Sequence, residues 1–307
     1  MIPYRYSGLL INNWQPGDRT RGVRMQPQEQ GTPVEHLSGP YKVQVLDRAI
    51  ALLEILALSP AEMSLGELTV AVGLHKSTVH RLLMVLEGHR LVDKSPLHGR
   101  YRLGLKLFEL GGASISRLNL REHIRPRLEW LTEQTGETVY LSLLDHGEVL
   151  CLDFTEPPRA LRIFRRVGSR YCLHCTAAGK AMSSLLPDDA IRALLQQNGM
   201  APCTPKSIRT PEEFLAEIAL VRQRGYAFNE EESEEGIRSV AVAFRLGDGT
   251  SLVAISVVGP VSRYTVEKRL AALEALRTVI AEAVQTLGSH NSGSSPDSDN
   301  GQNRSAY

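Results

Sequence analysis

Apolar residues recur at helical spacing through Val45, Ile50, Leu53, Ile55 and Leu56, and the run stops before Ser59-Pro60, where proline restricts its neighbour. This predicts a first helix. Ser64-Leu65-Gly66-Glu67 reads as a capping box, in which the serine oxygen and the glutamate satisfy backbone N–H groups at the start of a second helix. Gly73 can end that helix in a left-handed turn. After the short turn Val72-Gly73-Leu74-His75, a third helix carries Val79, Leu82, Leu83 and Leu86 on one side and Ser77, His80, Arg81 and Met84 on the other. Arg90–Lys94 and Arg100–Leu103 then read as two short strands around Ser95–Gly99. A helix-turn-helix followed by a hairpin predicts a winged helix.

The pattern changes in the second half. Ile124, Leu128 and Leu131 mark a helix ending near Gly136, followed by strands at Val139–Leu144 and Glu148–Phe154 around Asp145-His146-Gly147. Thr210-Pro211-Glu212-Glu213 reads as another capping box with proline at the first helical position, and Gly225 stops that helix. Ser239–Leu246 and Ser251–Val258 form a hairpin across Gly247-Asp248-Gly249. The expected class is therefore α+β: a winged helix-turn-helix domain at 41–103, a connector helix at 104–120 and a mixed α/β domain at 121–287. Residues 1–40 and 288–307 lack any period and are rich in Gly, Pro, Ser, Asn and Gln, as expected of disordered tails. Residues 1–24, before Met25, resemble nothing structural and leave the start codon open.

At 307 residues the chain is long enough for two domains with their own cores. Apolar runs such as Ala49–Leu58 and Leu252–Val258 fall short of the roughly 20 residues that cross a bilayer. Neither a membrane partner nor a signal peptide is expected, which places the protein in the cytoplasm. Cys151, Cys172, Cys175 and Cys203 follow no secreted framework and suit a reducing compartment.

Net charge is only +1, so composition alone does not point to nucleic acid. Its distribution does. Between residues 75 and 102, Lys76, Arg81, Arg90, Lys94, Arg100 and Arg102 stand against Glu87 and Asp93, a net +4. A recognition helix enters the major groove with its first turns at base edges and its first amides at phosphate. Arg81 has the fork geometry that reads guanine, Lys76, Ser77 and Thr78 suit phosphate or base contacts, and His80 lies on the same face. Arg100 and Arg102 on the wing would reach backbone or minor groove. Any single exposed cation is ordinarily just solvated; here caps, turn, polar face and basic hairpin coincide in one short block.

Candidate chemistry in the second block is less specific. Thr176 before Ala-Ala-Gly-Lys reads as an N-cap whose helix leaves free amides for a carboxylate, or equally as an ordinary helix start packed on a sheet. Cys172-Leu-His174-Cys175 offers soft ligands for zinc or redox sensing but lacks a second spaced pair. Glu230, Glu231, Glu232, Glu234 and Glu235 form an acidic run of the sort that is usually a solvated loop. No nucleophile elbow, zinc-protease motif, P-loop or dinucleotide fingerprint is present, so neither an enzyme nor a cofactor is expected.

The chain resembles the IclR family of bacterial transcriptional regulators. The likeness is carried by Leu74-His75-Lys76-Ser77-Thr78-Val79-His80-Arg81-Leu82-Leu83 and Tyr101-Arg102-Leu103-Gly104, then by Gly168-Ser169-Arg170, Leu173–Ala181, Gly236–Ala241 and Ala254–Pro260. The resemblance implies a GAF-like effector domain with an antiparallel sheet, in a dimer or tetramer on a palindromic or near-palindromic double-stranded operator. It implies an effector pocket formed by Ala177 and Ala178, walled by Ile163 and Leu173 and faced by Ile237, Ser239 and Ser256. Many members carry Cys in place of Ser239 and Ser in place of Val258, which implies a ligand less polar than a short keto acid. The effectors the family implies are small organic acids or aromatic compounds. A large domain that only oligomerises is the rival reading.

Overall fold

The structure, a computed structural model, describes residues 43–116, 120–159 and 166–289. The expected tails at 1–40 and beyond 289, residues 117–119 of the connector and the pocket candidate Ile163 lie outside the described residues. Two compact units divide between Gly111 and Gly112.

In the first unit, α1 (Gln44–Leu58), α2 (Leu65–Val72) and α3 (Lys76–Gly88) precede a hairpin of β1 (Val92–Lys94) and β2 (Tyr101–Leu103). Local chemistry sets the boundaries. The Ser64 hydroxyl accepts from the Glu67 amide while the Glu67 carboxylate accepts from the Ser64 amide, and Gly73 closes α2 at φ 67°. Leu52, Leu68, Val79 and Leu83 are fully buried where the helices meet, together with Val92 and Tyr101 from the hairpin. Met63 bridges Tyr101 and so ties the stretch before α2 to the wing. Helix α4 (Lys106–Ser116) follows the hairpin.

The second unit is a three-layer α/β/α arrangement. Its elements are α5 (Leu120–Thr135), β3 (Thr138–Asp145), β4 (Glu148–Thr155), β5 (Arg170–Cys172), α6 (Ala177–Ser183), α7 (Asp188–Asn198), α8 (Pro211–Arg224), β6 (Ala227–Glu230), β7 (Ile237–Arg245), β8 (Leu252–Pro260) and α9 (Val266–Ser289). The strands form one antiparallel sheet in the order β5-β4-β3-β8-β7-β6. Alternation gives each face its own job. Val139, Leu141, Val240, Val253, Ile255 and Val257 pack on α5 and α9, whereas the smaller Ala227, Ala241 and Ala254 face α6 and α8. With helices on both faces, β8 is buried along its whole length. Among the described residues, no helix is long and apolar enough to cross a membrane.

Three expectations need correction. The acidic run is not a solvated loop: Glu232 is buried and pairs with the buried Lys180 at 2.6 Å, Glu230 pairs with Arg238 and Arg269, and Glu231 pairs with Lys206. At Thr210 only half of a capping box forms, because the Glu213 carboxylate accepts from the Arg209 amide instead of that of Thr210. Finally, α9 runs through Ser289, two residues into the stretch read as a tail.

The Lys180–Glu232 pair joins α6 to the turn after β6, and Glu217 stands 3.8 Å from the same ammonium but is itself held by Arg224. Glu232→Ala would leave a buried ammonium with only that distant partner. It should destabilise the protein by about 3 kcal/mol in urea unfolding, whereas Lys180→Met combined with Glu232→Leu should recover most of the loss. A Glu232→Ala midpoint matching the wild type would show that the pair contributes no net stability.

Candidate nucleic-acid interface and ligand cavity

Helix α3 buries Val79, Leu83 and Leu86 and leaves Lys76, Ser77, His80, Arg81 and Met84 exposed, with Thr78 half-buried. His75 stands at its N-cap without placing a side-chain acceptor on the first turn, unlike Ser64 in α2. The opening amides of α3 thus keep their positive end for an outside anion. Arg81 and Lys76 take part in no ion pair among the described residues. Five of the seven sequence-predicted contacts in this unit are exposed, Thr78 and Arg100 being half-buried, and the seven are not equivalent.

The wing arginines differ from α3 in being engaged within the unit. Arg100 donates to the Glu62 carbonyl at 2.9 Å and to the Glu67 carboxylate at 2.7 Å, and Arg102 pairs with Glu62 at 3.3 Å and Asp93 at 3.7 Å. Burial works against ionisation of Glu67, yet its hydrogen bonds from Ser64 and Arg100 hold its carboxyl below the usual range. Arg100 therefore serves first as a clamp between the wing and the cap of α2. Lys94 lies 5.5 Å from the centre of the Tyr101 ring.

In the second unit, α6 begins where Thr176 accepts from the Gly179 amide at 3.0 Å, and every residue from Ala177 to Ser183 is buried. Gly179 is required by packing: a Cβ there would lie 2.1 Å from the Leu173 carbonyl oxygen. Close packing is thus one reason for the small residues in α6. Between the start of α6 and the sheet lies a narrow cavity lined by Thr176, Ala177 and Ala178, by Tyr140, Ser142, Ser239, Ser256 and Val258 on β3, β7 and β8, and by Val149, Cys151, Tyr171, Asn229 and Ser233. Strand register explains the grouping: Asn229 is opposite Ser239, Ser239 opposite Val258, and Ser256 opposite Tyr140.

Of the pocket candidates, Ala177, Ala178, Ser239 and Ser256 meet at this cavity. Leu173 does not line it; its side chain joins the core with Ala177, Ala181 and Met182. Ile237 packs beside Tyr140, Cys151 and Val258, outside the lining. Tyr140, Ser142, Tyr171, Asn229 and Ser233 were not singled out from the sequence. A hydroxyl interrupting an apolar strand, as Ser142 does in Thr138–Asp145, was the available signal for one of them.

The cavity is polar without being charged. Ser239 and Ser256 are buried residues that line the cavity, and neither hydroxyl is paired with another side chain among the described residues. Asn229 is committed elsewhere, donating to the Cys175 carbonyl at 3.1 Å and to Ser233 at 2.7 Å while accepting from the Glu232 amide at 2.8 Å. About 20 Å³ is open inside, enough for roughly one water. Any organic occupant must push the walls apart.

Comparison with known proteins agrees with this architecture. The family profile described as "IclR helix-turn-helix domain" matches residues 45–96, and "Bacterial transcriptional regulator IclR C-terminal" matches 112–286. The chain is 32% identical over 221 residues to the HTH-type transcriptional regulator XynR of Escherichia coli, covering 72% of this chain and 88% of that protein. It is 31% identical over 226 residues to the transcriptional repressor IclR of the same organism, covering 73% and 82%. The crystal structure of Thermotoga maritima IclR superposes with a TM-score of 0.67 at 29% identity, covering 79% of this chain and 98% of that one. With a winged helix-turn-helix in its first unit, a GAF-like antiparallel sheet in its second and profile matches in both halves, the chain belongs to the IclR family of DNA-binding transcriptional regulators.

Proposed function

We propose that the protein reads a two-fold symmetric operator through α3 and changes its hold on that operator when the cavity between α6 and the sheet takes up a small organic acid or aromatic compound. The observation that carries the effector half is the pair of serines, Ser239 and Ser256, that line the cavity together with the opening residues of α6. Hydroxyls on a cavity wall take hydrogen-bond partners, and a ligand oxygen supplies one. Among the described residues, no lysine or arginine lines the cavity. A carboxylate there would be held by hydroxyls and by helix amides, with Val149, Val258, Tyr140 and Tyr171 favouring a flat, partly apolar body.

Lys76, Ser77, Thr78, His80 and Arg81 are assigned to DNA, with Arg81 as the base-reading side chain. Arg102, still exposed, is assigned a phosphate, and Arg100 the placement of the wing. Self-association is supported by apolar side chains that the first unit leaves exposed, among them Val45, Leu46 and Ile50 on α1 and Phe108 on α4. A dimer or tetramer of this kind would present paired α3 helices to half-sites about 34 Å apart. Work on chromosomal operators places the protein in the cytoplasm.

Because a ligand must part the walls, it selects a different arrangement of α6 and the sheet, and by linkage operator DNA must alter ligand affinity by the same factor. Selection of bound duplexes from a random pool should return a symmetric motif. Arg81→Ala should cost about 1–3 kcal/mol on that motif and relax the matching base position; an unchanged motif would remove Arg81 from base reading. For the cavity, a panel of aliphatic and aromatic carboxylates should contain at least one that raises the melting temperature. Ser239→Ala should weaken that ligand about threefold to tenfold by calorimetry, the worth of one neutral hydrogen bond. A panel with no stabilising member would favour a domain that only oligomerises.

A further inference from the structure

Three of the four cysteines converge beside the cavity. Cys172 ends β5, Cys175 sits in the turn before α6, and Cys203 lies between α7 and α8. The Cys203 and Cys172 sulfurs are 3.8 Å apart, with the Cys203 thiol donating to Cys172. Cys172 and Cys203 are exposed, whereas Cys175 and Cys151 are buried. Between them, His174 is 2% exposed, and its Nε2 has no hydrogen-bond partner.

Among the described residues, no group of three His, Cys, Asp or Glu is disposed to hold an ion; two adjacent thiols can instead be oxidised. Two exposed sulfurs 3.8 Å apart need to close by less than about 2 Å to reach a disulfide. We propose that Cys172 is a hydroperoxide-reactive thiol that resolves into a reversible disulfide with Cys203, giving the second unit a redox input.

In the first step the Cys172 thiolate attacks the terminal oxygen of a hydroperoxide; an S–O bond forms, the O–O bond breaks, and the alcohol or water leaves after taking a proton. The sulfur is oxidised by two electrons to a sulfenic acid and the peroxide is reduced. The Cys203 sulfur then attacks the Cys172 sulfur, an S–S bond forms, the S–O bond breaks, and the hydroxide leaves as water with the Cys203 proton. Hydrogen bonds from Cys175 and then Cys203 favour the Cys172 thiolate and hold its pKa below the ordinary range. The reciprocal interaction, together with burial, pushes Cys175 up and keeps it a thiol.

Tyr171 and Thr176 flank the cluster in sequence and both line the cavity, so tethering Cys172 to Cys203 acts on the cavity wall. That consequence rests on the cavity being the ligand site; the thiol chemistry does not.

The test treats the reduced full-length protein with hydrogen peroxide and maps its cysteines by alkylation and mass spectrometry. The expected product is a Cys172–Cys203 cross-linked peptide, reversed by dithiothreitol, with Cys151 still alkylated. Cys172 should react about tenfold faster than free cysteine at neutral pH and hold that rate as pH falls toward 6, because its thiolate persists where an ordinary thiol is protonated. Cys203→Ser, checked for native circular dichroism, should lose the cross-link and leave a sulfenic acid that dimedone traps at Cys172. Reaction no faster than in the urea-unfolded chain would overturn the proposal, as would a Cys172–Cys175 product in the wild type or stoichiometric zinc on the purified thiols. A carboxylate panel without effect on the reduced protein would sink the cavity reading and leave the thiol result standing.

Discussion

The second unit depends on how closely a short helix can approach a sheet. Helix α6 lies so near the preceding turn that only glycine fits at 179, where any Cβ would collide with the Leu173 carbonyl. The sheet yields to it with alanines and serines at Ala227, Ala241, Ala254, Ser239 and Ser256. Small residues on both sides bring backbone near backbone, which leaves little apolar area to hold the contact. Polar links take over: Lys180 reaches Glu232, and Asn229 spans the Cys175 carbonyl and the Glu232 amide. Buried ions and amides hold their geometry only while every partner is present, so this seam is well ordered and also sensitive to what enters it.

The same seam explains why cavity, acidic turn and thiols are neighbours. Asn229 carries the backbone just before Thr176 and the amide of Glu232, so the start of α6 and the turn after β6 move together. The Thr204 and Ser207 hydroxyls donate to the backbone of Glu231 and Glu232, which fastens the stretch bearing Cys203 to that turn as well. A disturbance at one of these points has a short path to the others.

What the sequence revealed, and what it hid, follows from the range of the interactions. The first unit was legible because its boundaries are set locally: Ser64 with Glu67, Gly73 in a left-handed turn, and apolar residues three and four apart in α3. The contacts of the wing arginines within the unit were not legible, because Glu62 and Glu67 lie more than 30 residues away and leave no trace in local spacing. The acidic run looked solvated for the same reason, with Lys180 fifty-two residues upstream of Glu232. Ser239 and Ser256 came from family resemblance, while Tyr140 and Asn229 are brought to the cavity by strand register and Ser233 by the turn after β6, where Asn229 donates to it. Leu173 and Ile237, also taken from the resemblance, pack against residues of the cavity wall without being part of its lining.

The outer face of α3 is unusual for how little the rest of the protein asks of it. Ser77, His80, Arg81 and Met84 project from a helix whose other side, with Val79, Leu83 and Leu86, carries the packing, while Arg100 and Glu67 set the wing from elsewhere. Exposed positions without internal partners tolerate exchange at little thermodynamic cost. The unit therefore separates the residues that keep it folded from the exposed ones proposed to meet DNA. Such a scaffold can change its vocabulary over evolutionary time, one exposed side chain after another, without having to relearn how to fold.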